Sequence, residues 1–134
     1  MKKLFCLIAL FALFLTGCGG GDVSQARMVA GESEIFTSRE IGDAMEVAMN
    51  YFQKEFDGCT MTQIEYNEGK SRDAAVEWAQ QYGAEEGIVL YTSFDVDSSG
   101  GDGSLNPNST YTNWQWVLTR DKGGNWVLRT WGYG

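Results

Sequence analysis

The sequence predicts an α+β fold: an antiparallel sheet of about four strands packed against one long N-terminal helix, with a shorter second helix. Three observations predict it. Apolar residues recur at helical spacing behind a helix-capping pattern, β-branched and aromatic runs fill the second half of the chain, and Gly-rich turns separate those runs. At 134 residues with 43 % hydrophobic content, the chain has enough apolar material for one compact domain and is not disordered throughout.

The first residues stand apart from that domain. Met1-Lys2-Lys3 is a short basic start, residues 4–15 are almost continuously apolar, and small residues follow, the order of a secretory signal. The run is too short to span a bilayer. Leu15-Thr16-Gly17-Cys18 then resembles the lipobox of bacterial lipoproteins. That resemblance implies removal of residues 1–17, a diacylated Cys18 as the new first residue, and attachment to the outer face of the cell membrane. Two acyl chains make such attachment stable. Gly19, Gly20 and Gly21 follow Cys18 where an aspartate retention signal would stand in two-membrane bacteria, which points to a Gram-positive surface.

The rest of the composition narrows the chemistry. Cys6 leaves with the signal and Cys18 takes the lipid, so Cys59 has no intramolecular partner and no disulfide framework exists. The chain has no histidine, so a Cys-His pair is impossible and Cys59 reads as a small buried hydrophobe. Loss of Lys2 and Lys3 removes two of the ten basic side chains and none of the eighteen acidic ones. So acidic a product is unsuited to nucleic acid or to direct contact with anionic lipid heads.

Residues 18–36 are rich in Gly, Ser, Glu and Asp without an apolar period, and read as a lipidated cysteine followed by a flexible tether. The domain is expected over residues 37–134. Thr37-Ser38-Arg39-Glu40 is a capping-box pattern, and Ile41, Met45, Ala48, Phe52 and Phe56 then mark one face of a helix ending near Asp57-Gly58. A strand is expected over residues 59–66, broken by Asn67-Glu68-Gly69. Ser71-Arg72-Asp73 opens the second helix, with Ala74 or Ala75, Trp78 and Tyr82 on one face and Gly83 at its close. Strands follow over residues 88–94, 111–120 and 125–133.

The turn between the last two strands sets which face is buried. A three-residue loop at Asp121-Lys122-Gly123, with Gly123 left-handed, places Leu118 opposite Trp126 and Trp116 opposite Leu128. One face then carries Trp114, Trp116, Leu118, Trp126 and Leu128, and Trp131 falls on the other beside Val117 and Val127.

This order of elements resembles the cystatin-like architecture, including nuclear transport factor 2-like domains, over roughly residues 37–134. The ending Trp114-Gln115-Trp116-Val117-Leu118, Gly123-Gly124-Asn125-Trp126, Trp131-Gly132-Tyr133-Gly134 is similar to that of lipoproteins of Gram-positive bacteria whose domain has no assigned activity. The resemblance implies a domain type and no particular reaction.

Candidate chemistry is sparse. In the loop from Asp95 to Ser104, Asp95, Asp97 and Ser99 take the first, third and fifth positions of a calcium EF-hand pattern and Gly100 the sixth, with Asp102 as a further oxygen donor. Asn106 stands where the bidentate Glu is needed, and strands flank the loop. We therefore expect a flexible connection, with no metal or other cofactor. Trp131 and Tyr133, near the open end of the last strand, are the aromatics expected to contact a ligand, since Trp and Tyr faces stack on sugar rings and peptide side chains. The nearest ligands at such a location are cell-wall polymers and envelope proteins. Glu65, Glu77 and Asp95 are positional candidates for carboxylate catalysis, marked by no motif. Asn108-Ser109-Thr110 reads as a turn despite its glycosylation-sequon spelling. The leading expectation is a membrane-anchored, non-catalytic binding module.

Overall fold

In the computed structural model, which describes residues 20–133, an α+β domain is built on one five-stranded mixed sheet with two helices. The expected signal and Cys18 lie outside the described residues, as does Gly134. The strands are β1 (Arg27–Val29), β2 (Cys59–Glu65), β3 (Glu86–Val96), β4 (Thr110–Arg120) and β5 (Val127–Gly132), lying side by side in that order. Only β1 with β2 is parallel. The other three pairings are antiparallel.

The long helix α1 (Ser38–Glu55) begins where the capping box predicts. Thr37 Oγ1 accepts from the Glu40 N–H at 3.1 Å, and a Glu40 carboxylate oxygen accepts from the Thr37 N–H at 2.8 Å. Its buried stripe is Ile41, Ala44, Met45, Ala48 and Phe52. These pack on Ile88, Leu90, Phe94, Trp116 and Leu118, which all point to one face of the sheet. Helix α2 (Glu68–Gln81) lies on the opposite face, where Ala75 meets Val89 and Val117.

Four expectations need correction. Residues 20–36, expected as a tether, join the fold: Asp22 bridges Thr60, β1 pairs with β2, and Phe36 is buried against Tyr66 and Trp126. The sheet therefore has a fifth, parallel strand. Helix α2 starts at Asn67, not at Ser71: the Asn67 side chain caps Lys70 N–H, and the Ser71 hydroxyl is buried as the acceptor for Val89 N–H at 3.0 Å. Val89 needs that acceptor because the β2 ladder stops at Tyr91, leaving the start of β3 without a neighbour on that side.

The last hairpin is the remaining pair of corrections. Gly123 is left-handed as the turn requires, but Leu118 pairs with Leu128 and not with Trp126. Trp126 leaves the strand so that its indole N–H reaches Glu40 O at 3.0 Å. One extra residue on β5, Arg129, then interrupts the alternation, because Val117 pairs with Thr130 directly after Leu118 pairs with Leu128. Trp131 therefore falls opposite Trp116, on the α1 side of the sheet rather than beside Val117.

Candidate binding cleft

Helix α1 ends beside β4 and β5, and the connection between β3 and β4 folds over the same end. Between them lies a cleft of about 350 Å³. Tyr51, Glu55 and Phe56 contribute from α1 and its cap, Gly101, Ser104 and Leu105 from the connection, and Trp114 and Trp131 from the sheet. Two bulges aim the tryptophans. Asn113, with φ of 57°, is part of an irregularity that lets Tyr111 and Trp114 both face α1, and the Arg129 bulge does the same for Trp131.

The aromatic rings are braced against one another. Trp131 lies 4.5 Å from Tyr51 and 6.1 Å from Trp116 between ring centres, while Phe56 meets Trp114 edge-on at 6.0 Å. Tyr133 touches the outer side of Trp114 at 5.4 Å. Trp131 keeps 39 % of its surface exposed and Tyr133 keeps 60 %. Held rings of this kind offer flat apolar faces at little entropic cost.

The polar lining has one sign. Glu55 is exposed at the rim, and no Lys or Arg lines the cleft. The Trp114 indole N–H is the one buried side-chain polar group without a hydrogen-bond partner among the described residues. A desolvated donor left unpaired costs about 1–3 kcal/mol. The arrangement thus suits an uncharged ligand with a flat apolar face and hydroxyl groups, and disfavours an anion.

Of the two aromatics singled out from sequence, Trp131 lines this cleft, while Tyr133 does not line it and meets Tyr111 and Trp114. Tyr51, Glu55, Phe56 and Trp114 were not singled out. Trp114 was assigned to the buried face, and Tyr51 only flanked the helical stripe. Nothing local in the sequence reports that a loop forty-five residues on returns to cover the end of α1.

The acidic connection is organised by its own backbone. Asp97 N–H donates to Gly58 O at 2.9 Å, Asn108 N–H to Asp97 O at 2.9 Å, and Leu105 N–H to Gly100 O at 2.9 Å. Asp97 accepts from the hydroxyl and backbone N–H of Ser99, which together hold its carboxyl below the usual range. Asp95 accepts from the Thr110 hydroxyl at 2.7 Å, and Asp102 is exposed with φ of 72°. No three His, Cys, Asp or Glu side chains gather to hold a metal ion among the described residues. Asn108-Ser109-Thr110 closes the connection, with Ser109 O accepting from Val96 N–H at 2.8 Å.

The catalytic candidates are not brought together. Glu65 pairs with Tyr91 and Asp95 with Thr60, at opposite ends of the β2–β3 ladder, while Glu77 is exposed on α2. Burial, then the carboxylates of Asp97 and Asp57, push the Cys59 thiol up to about 11, so it stays protonated and unreactive at neutral pH. A second hollow of about 290 Å³ lies between α2 and the start of β3, floored by Ala75, Ala79 and Gly87. It holds no unpaired buried side-chain donor or acceptor. Among the described residues no helix is long and apolar enough to cross a membrane. No family model, curated protein or solved structure matches this chain.

Proposed function

We propose that this chain is a lipoprotein of the outer membrane face, anchored through Cys18, whose domain binds a cell-wall polymer without catalysis. The lipobox-like Leu15-Thr16-Gly17-Cys18 behind a basic start and apolar run supports the anchor. Antiparallel strands packed on α1 support the cystatin-like reading, with β1 and the placement of α2 as additions to that plan.

The observation that carries the binding reading is the aromatic cleft itself. It combines exposed, braced ring faces with a carboxylate acceptor at the rim. A sugar ring has a matching apolar face and hydroxyl groups able to donate and accept. A phosphate would face Glu55.

The test is retention of the mature protein on immobilised cell-wall polysaccharide. Wild type should be retained, Trp131→Ala should lose retention, and Lys122→Ala, at the far turn, should keep it. Equal behaviour of Trp131→Ala and wild type removes the cleft as the ligand seat. Mass spectrometry of the native N-terminus tests the anchor separately, and an unmodified start elsewhere than Cys18 removes it.

A further inference from the structure

Gly20 and Gly21, which follow the lipobox-like stretch, are not spare chain. Gly20 N–H donates to Asp57 Oδ1 at 2.5 Å, Gly21 N–H to Gln53 O at 3.0 Å, and Asp22 N–H to Cys59 O at 2.9 Å. Met61 N–H returns a bond to Asp22 O at 2.8 Å. The chain is thus seated on the last turn of α1 from Gly20 onward. A Cβ on Gly20 would lie 2.2 Å from Gln53 O, and one on Gly21 would lie 2.6 Å from the Phe52 ring, so neither site has room for a side chain.

Seating so early in the chain fixes which end of the domain lies near the anchor. Cys18 is two residues before Gly20, and two residues span at most about 7 Å. The Gly20 seat is at the end of the sheet where Cys59 pairs with Val96 and Thr110 with Asp95, under the acidic connection. The opposite end holds the start of α1 and the 121–124 turn. Between the two ends runs β3, whose 11 residues make about 35 Å of strand.

Resting on the reading of Cys18 as the lipid site, we propose that the tip formed by the Asp57-Gly58 turn and residues 95–99 of the connection, none of which lines the cleft, is a membrane-facing surface, held against the lipid headgroup layer. The leash is too short for the domain to turn over. Tyr133, exposed and in contact with Tyr111 and Trp114 near this end, is the side-chain type that settles at headgroup level. Asp95, Asp97 and Asp102 keep the surface at that layer and out of the hydrocarbon, and they repel anionic lipid over a screening length of about 10 Å at 0.1 M salt. The partner of this surface is therefore the uncharged headgroup layer around the anchor, and its adhesion is carried by the covalent lipid.

The experiment uses the full lipidated protein in phosphatidylcholine vesicles, with a fluorophore on Asp102→Cys or on Lys122→Cys. Cys59 is buried and protonated, so native labelling passes it by. Lipids carrying a nitroxide at the headgroup quench over short range. Quenching should be several-fold stronger at position 102 than at 122. Inserting about ten Gly and Ser residues between Gly19 and Gly20, a coil averaging roughly 18 Å end to end, should abolish the difference. Equal quenching of the two labels without the insertion, or stronger quenching at 122, overturns the orientation while leaving the anchor intact. A protein that stays in solution when vesicles are sedimented overturns both.

Discussion

Arg120 shows how much one side chain can organise. Its guanidinium reaches Glu40 at 2.5 Å and Glu86 at 2.7 Å, and lies 4.3 Å from the centre of the Trp126 ring. It thereby joins the start of α1, the start of β3 and the end of β4. Breaking a buried ion pair costs about 3–5 kcal/mol, and the partial exposure of both carboxylates lowers that to about 2–4 kcal/mol for Arg120→Met in urea unfolding. Glu40 has a further role, because the Thr37 backbone N–H, then the Arg120 guanidinium, hold its carboxyl below the usual glutamate range. A depressed folded value means that this stability is full above the unfolded pKa of about 4.3 and is lost as pH falls through the folded value. Wild type should therefore lose urea resistance below about pH 4 more steeply than Glu40→Gln. Glu40 was legible as a capping residue but its pairing with Arg120 was not, since the two are eighty residues apart and a lone arginine at a strand end carries no local signal.

At the scale of elements, the helical period of α1 was legible because a repeat of 3.6 needs only its own residues. Phe52 is fully buried at the C-terminal end of its stripe, so Phe52→Ala should cost about 3–5 kcal/mol by urea unfolding. Strands β2 to β5 were legible in kind but not in register, and β1 was read as tether. Alternation assumes a strict period of two, and bulges in β2, β4 and β5 each add one residue to that count. The candidate cleft depends on two of those bulges, which explains why Trp131 was chosen correctly as exposed yet placed on the wrong face. The start of α2 was misread because Ser71 has the composition of a cap but is used as a buried acceptor. Ser71→Ala should therefore cost about 1–3 kcal/mol, more than the ~1 kcal/mol expected for the true cap in Asn67→Ala. The acidic connection is held by backbone bonds and local turns. Calcium at about 1 mM should leave the melting temperature unchanged, since even a site of that dissociation constant would add only about 0.4 kcal/mol. Calorimetry showing a stoichiometric site tighter than roughly 0.1 mM, lost in Asp95→Asn with Asp97→Asn, would reverse this reading.

Across the whole molecule, the fold places the aromatic cleft and the Gly20 seat at one end and the Arg120 cluster at the other. Composition could announce the charge but not this polarity, because it arises from the Gly20 seat, a contact between residues 37 positions apart. Gly21→Leu tests the seat directly: it should lower the melting temperature, and in the lipidated protein it should reduce the difference in quenching between positions 102 and 122. A stable variant with the difference unchanged would show that the seat does not set the orientation.

Strand β1 also acts as a guard. It covers the outer side of β2 over Gln63, Ile64 and Glu65, and Asp22 covers Thr60, so the backbone of β2 is shielded along most of its length. A chain begun at Thr37, as a tether over residues 18–36 would invite, loses that shield together with the buried Phe36 ring. The bared strand then becomes a template for another copy. Light scattering should find residues 20–134 monodisperse and residues 37–134 aggregating. Cleavage between β1 and α1 followed by loss of β1 should have the same effect, baring β2 for self-association.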